Sequence, residues 1–99
     1  VSDRPALKLI VEGALLAAGG PLTLETILGL FGEEERPTRE AVLGAIRSLD
    51  QDYLQRGIEV AEVAGGYRAQ VRSEVAPWVA RLWEEKPARY SRALLETLA

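Results

Sequence analysis

Whatever chemistry this chain performs is done without histidine or cysteine, since neither occurs among its 99 residues. Thiol catalysis, disulfides, zinc–thiolate sites and imidazole acid–base steps are therefore excluded together. The serines Ser2, Ser48, Ser73 and Ser91 have no base to activate them and suit local capping better than nucleophilic attack. The run Glu33, Glu34, Glu35 offers carboxylates, but three consecutive side chains on a loop do not converge, while Ca²⁺ needs about six to eight arranged oxygens. The glycine pairs at 19/20 and 65/66 fit neither phosphate-cradling pattern and read as turns. No metal, no cofactor and no enzymatic activity are expected.

What remains is recognition chemistry. Arg68 and Arg72 flank Gln70 on one side of an extended segment, where they could meet phosphates or simply protect a sheet edge. Leu9 and Leu16 are seven residues apart on a helical segment. They nearly superimpose in projection and lie about 190° from the core stripe, with Gly13 beside them, so they form a candidate partner face. Trp78 and Trp83 are five residues apart and therefore about 140° apart around a helix, too wide for one stripe. One tryptophan is expected in the core and the other in an interface, where Trp is a favoured anchor.

These residues need elements to hold them. Over residues 5–18 the apolar positions Leu7, Ile10, Val11, Ala14, Leu15 and Ala18 recur at helical spacing and predict a first helix closed by Gly19, Gly20 and Pro21. Pro21 and Leu22 are expected to be briefly extended. Thr23 is the cap of a short second helix carrying Leu24, Ile27, Leu28 and Phe31 before Gly32, and Thr38 caps the longest helix, with Val42, Ala45, Ile46, Leu49 and Tyr53 leading towards Gly57. The β-branched stretch 58–63 and the alternation of Tyr67, Ala69 and Val71 with Arg68, Gln70 and Arg72 predict a hairpin turning at Gly65 and Gly66. Ser73 is expected to cap a further helix through Trp78, Val79, Leu82 and Trp83 to about Lys86, with Pro77 in its first turn and Pro87 as its stop.

The order is that of a mainly α winged helix-turn-helix with a β-hairpin wing and an additional C-terminal helix. In such a fold the third helix would read DNA, yet Arg39, Arg47 and Arg56 are offset by Glu40, Asp50 and Asp52, and the net charge of −3 argues against a phosphate-backbone partner. Nucleic-acid contact is expected to be weak or absent, with Arg68 and Arg72 its only candidates. No apolar run reaches the roughly 18–20 residues of a membrane helix, so the expected location is the cytoplasm. Residues 1–86 are expected to form the winged-helix domain. Residues 87–99 read as a linker and the start of a second domain cut short, because Leu94, Leu95 and Leu98 form an apolar face on too short a helix.

Three stretches carry a resemblance. They are Ala14-Leu15-Leu16-Ala17-Ala18-Gly19-Gly20-Pro21-Leu22 followed by Leu24-Glu25, then Glu62-Val63-Ala64-Gly65-Gly66-Tyr67-Arg68, and the tail from Leu82 through Ser91-Arg92-Ala93-Leu94-Leu95-Glu96-Thr97-Leu98-Ala99. Together they resemble the segregation and condensation protein B (ScpB) family over nearly the whole chain. The resemblance implies a non-enzymatic subunit of the bacterial SMC condensin complex that forms a homodimer, binds the kleisin ScpA and through it SMC, and reaches the nucleoid in that complex. Leu9, Gly13, Leu16, Trp78 and Trp83 are then the candidate dimer or partner contacts. A winged-helix transcriptional regulator is the alternative.

Overall fold

A computed structural model describes residues 5–84 of the chain. Helix α1 spans Leu7–Ala18 and ends at Gly19, whose φ of 68° provides the left-handed cap that a side chain would resist. Helix α2, Leu24–Leu28, opens at Thr23, whose hydroxyl accepts the Thr26 N–H at 3.0 Å. It stops a turn earlier than its apolar spacing suggests, because the chain tightens into i to i+3 bonds at Leu30 and Phe31, and Phe31 is buried from that turn. Helix α3, Arg39–Asp52, is capped by Thr38, which accepts from Ala41 N–H at 3.0 Å.

The three helices share one core. Val11 and Leu15 from α1, Leu24 and Ile27 from α2, and Val42, Ile46 and Leu49 from α3 are buried against one another, each worth about 1.5–3 kcal/mol of transfer free energy. Leu7 packs at the margin of that cluster, whereas Ala18, at the end of the stripe, is exposed. Strands β1, Ile58–Val63, and β2, Gly66–Val71, pair antiparallel and close the core with Val60, Tyr67 and Ala69. Among the described residues no helix is long and apolar enough to cross a membrane.

The hairpin turns one residue earlier than expected. Val63 pairs with Gly66, so the two turn residues are Ala64 and Gly65, and Gly65 alone takes a positive φ, 80°. Gly66 is a strand residue with a different duty. A Cβ there would lie 2.5 Å from the Leu22 carbonyl oxygen and 3.1 Å from the Thr23 nitrogen, which is closer than packed atoms approach. This proximity lets Leu22 and Tyr67 exchange two backbone hydrogen bonds at 2.8 Å each. The bridge fastens the link between α1 and α2 to the wing and confirms the extended conformation expected at Leu22.

The last helix departs most from expectation. Helix α4 covers only Ala76–Val79 and runs into a 3₁₀ turn at Ala80–Leu82. Ser73 does not cap it. A helix capped at Ser73 would need the Pro77 nitrogen to bond the Ser73 carbonyl, and proline has no N–H to give. The start therefore moves to Ala76, which puts Pro77 inside the first turn where its missing donor is harmless. The expected end near Lys86, the boundary at 86/87 and the short helix over 91–99 lie outside the described residues.

Candidate interaction surfaces

The outer face of α1 is made by the residues its core stripe leaves over. Leu9 is 57% exposed and Leu16 80% exposed, with the exposed Gly13 and Ala17 between and beside them. Nothing lies within 4 Å of where a Gly13 side chain would begin. The helix has just two charged residues, Lys8 and Glu12, and both face α3: the Lys8 ammonium pairs with Asp52, and Glu12 accepts the Tyr53 hydroxyl. The leucines lie beside this charged flank, and with only two charges, both paired to α3, the helix carries little of the polar surface of an ordinary exterior helix.

The Tyr53 hydroxyl bridges α1 and α3. Burial first, and then the hydrogen bond to Glu12, push its pKa from 10.0 to about 12. A pKa raised on folding stabilises the native state below pH 10 and ceases to do so as the pH climbs from 10 to 12. Thermal melts in that alkaline window are expected to show a stability loss in the native chain that Tyr53→Phe flattens, since phenylalanine cannot ionise. Glu12, Asp52, Tyr53, Arg56 and Ile58 line an open depression around this contact.

Both tryptophans are outside the core, contrary to the expected division between core and interface. Trp78 is 67% exposed and Trp83 77%, and Leu82 beside them is 77% exposed. The shortened α4 is the reason: one helical turn and a 3₁₀ turn do not reach back over the three-helix core as a full amphipathic helix would. Leu82 belongs to the same apolar surface, and its place in the periodic series with Trp78 and Trp83 was the signal for it.

The wing separates the two arginines that spacing placed together. Arg72 is tucked under the hairpin with 15% of its side chain exposed. Its Nη2 donates to the Tyr53 carbonyl at 2.9 Å and its Nη1 lies 3.5 Å from Glu59, so it ties the end of α3 to the sheet. Arg68 is exposed and donates from Nε to Gln70 at 3.0 Å. On α3, Arg39 pairs with Glu25 at 3.1 Å, and Asp50 accepts the Val60 N–H at 3.2 Å, covering the outer edge of β1. Arg39, Asp50 and Asp52 of the would-be reading helix are thus engaged within the domain, and its other two charges, Glu40 and Arg47, are exposed and of opposite sign. Fluorescence anisotropy with a random duplex at physiological salt is expected to give a Kd no tighter than the nonspecific range of about 10⁻⁴–10⁻⁶ M. A tighter affinity that falls steeply with salt and is lost in Arg68→Ala would favour the DNA-reading alternative.

Glu33, Glu34 and Glu35 line a shallow depression with Gly32 ahead of α3. Among the described residues no group of three or more acidic side chains is arranged to hold a metal ion. Negative charge at this place also repels a phosphate approaching the start of α3.

Comparison with known proteins places these surfaces in context. The family model described as segregation and condensation complex subunit ScpB matches residues 9–99. The segregation and condensation protein B homolog of Coxiella burnetii (strain RSA 493 / Nine Mile phase I) is 49% identical over 92 residues, covering 93% of this chain and 44% of that protein. Segregation and condensation protein B of Syntrophotalea carbinolica is 41% identical over 99 residues, covering 98% and 48%. The chain therefore spans about half the length of these curated relatives. A crystal structure of a dimer of the ScpB N-terminal domain complexed with a ScpA peptide aligns with a TM-score of 0.65 at 31% identity, covering 76% of this chain and 91% of that one.

Proposed function

Because the chain belongs to the ScpB family of segregation and condensation complex subunits, we propose that it acts as a non-enzymatic, homodimerising part of the bacterial SMC–kleisin condensin complex. In this reading it binds the kleisin ScpA, and through it SMC, in chromosome condensation and segregation. It works in the cytoplasm and reaches the nucleoid through the complex. Residues 1–86 are the winged-helix domain and 87–99 lead into a second one, a division supported by the 91% coverage of the solved N-terminal domain. Two apolar surfaces serve the contacts: Leu9, Gly13 and Leu16 on α1, and Trp78 with Trp83 beside α4.

The observation that carries this reading is the pair of exposed leucines on α1, Leu9 at 57% and Leu16 at 80%, outside the core to which Val11 and Leu15 of the same helix contribute. A domain that worked alone would place polar side chains there. Arg39, Asp50 and Asp52 of α3 and Arg72 of the wing are engaged within the domain, which favours the apolar surfaces over the third helix as the place for a partner. The related domain's dimer and its ScpA peptide supply partners of the right kind.

A sedimentation series tests the first half, and titration of a peptide from the cognate ScpA tests the second. The chain is expected to sediment as a dimer at micromolar concentration and to bind the peptide with a shift in tryptophan emission from Trp78 or Trp83. A monomer at high micromolar concentration, together with no response to the peptide, would overturn the reading.

A further inference from the structure

We infer that Asp50 guards the open edge of the wing: by holding the Val60 N–H it keeps β1 from pairing with β1 of a second copy of this chain. The two bonds that Leu22 and Tyr67 exchange require Tyr67 to turn its N–H and C=O away from β1. Backbone direction alternates along a strand, so Ala69 and Val71 point the same way, and their partners Glu62, Val60 and Ile58 turn theirs to the opposite edge. The Arg72 N–H, bonded inward to the Gly57 carbonyl at 2.9 Å, agrees with that alternation. Leu22 takes the β2 edge. Among the described residues no strand pairs with the β1 edge, where Ile58 and Glu62 are exposed and the Asp50 carboxylate accepts the central amide at 3.2 Å.

An unpaired edge is a template for strand addition, and this one fits a second copy of itself. A two-fold axis at Val60 sets Glu62 opposite Ile58 and Glu59 opposite Ala61, so no two carboxylates face each other directly. Val60 would then exchange both backbone bonds with the partner's Val60. That is the amide Asp50 occupies.

The placement of Asp50 in its own helix supports this role. It lies in the last turn of α3, which carries no basic residue, and a carboxylate there is opposed by the negative end of the helix dipole. Such a residue finds its compensation outside the helix. For Asp52, in the same turn, it is the Lys8 ammonium; for Asp50 it is the strand amide.

The test pairs Asp50→Ala, which removes the acceptor, with Asp50→Asn, whose amide oxygen can still take the Val60 N–H. Alanine is the better helix former, so α3 is expected to survive. Hydrogen exchange read by NMR is expected to run at least about tenfold faster at Val60 in Asp50→Ala and within about threefold of wild type in Asp50→Asn, with Ala61, bonded inward to Arg68, unchanged in both. Well below its melting temperature, Asp50→Ala is expected to sediment as a larger species than wild type and to show an infrared band of intermolecular β-sheet, whereas Asp50→Asn does neither. Gly65→Ala, which strains the wing and leaves Asp50 in place, is expected to keep the wild-type size.

Unchanged Val60 exchange in Asp50→Ala overturns the contact. Faster exchange with wild-type sedimentation at high micromolar concentration overturns the guarding role and leaves Asp50 as a fastening between α3 and the wing. The same larger species from Gly65→Ala assigns the association to instability, which also overturns it. If Asp50→Ala does not fold, Asp50→Ser, whose hydroxyl falls short of the amide, carries the same expectations. Every comparison is made against the wild-type size, whether monomer or dimer, so these outcomes stand apart from the dimer reading.

Discussion

Gly66→Ala is expected to lower the melting temperature by about 4–24 °C, more than any other glycine replacement in the wing. The added Cβ would stand 2.5 Å from the Leu22 oxygen and 2.7 Å from the Leu22 carbonyl carbon. Both are backbone atoms, so no side-chain rotation relieves the clash. The Leu22–Tyr67 bridge must open, which loses two hydrogen bonds at a net 0.5–1.5 kcal/mol each, or the wing must lift from the core at the roughly 1–3 kcal/mol typical of overpacking. Either route costs about 1–3 kcal/mol, a large part of a small domain's 5–15 kcal/mol, at about 4–8 °C per kcal/mol. Gly65→Ala is the control. It meets no atom within 4 Å but must hold a φ of 80°, a cost of about 1–2 kcal/mol. Circular dichroism melts that put Gly66→Ala above Gly65→Ala in stability would show that the close approach does not constrain the fold.

Leu9→Glu combined with Leu16→Glu is expected to weaken self-association by at least about a hundredfold while leaving the monomer folded. Each protomer would bring two carboxylates into an apolar contact without a cation to meet them. An uncompensated buried charge costs about 3–5 kcal/mol, and each 1.4 kcal/mol is tenfold in Kd. The fold is spared because the core draws on Val11 and Leu15, on the opposite side of α1. Leu30→Glu is the matched control, a leucine 53% exposed in the turn after α2. Sedimentation velocity over a concentration series separates the cases. A double variant that dimerises with the wild-type Kd removes α1 from the interface.

The helices were legible in the sequence where local physics decides them. The spacing of Val11 with Leu15, and of Val42, Ile46 and Leu49, places each set on one face regardless of the rest of the chain. Thr23 and Thr38 cap their helices through a hydroxyl that reaches an N–H three residues on, and Gly19 ends α1 because the left-handed region suits a residue without Cβ. The absence of histidine and cysteine was equally decisive about chemistry, and the uncommitted leucines of α1 could be seen from periodicity alone.

Tertiary structure decided what depends on groups distant in the chain. That Gly66 rather than Gly65 is the crowded glycine follows from Leu22, more than forty residues away, approaching the wing. Arg68 and Arg72 look equivalent by spacing, but the Tyr53 carbonyl and Glu59 draw only Arg72 inward. Lys8 and Glu12 look like ordinary solvated charges until α3 presents Asp52 and Tyr53 to them. Periodicity records which face of an element is apolar, because that is a property of its own residues. Which polar groups are consumed inside the domain, and which surface is left for a partner, depends on the backbone atoms and charges that folding brings alongside.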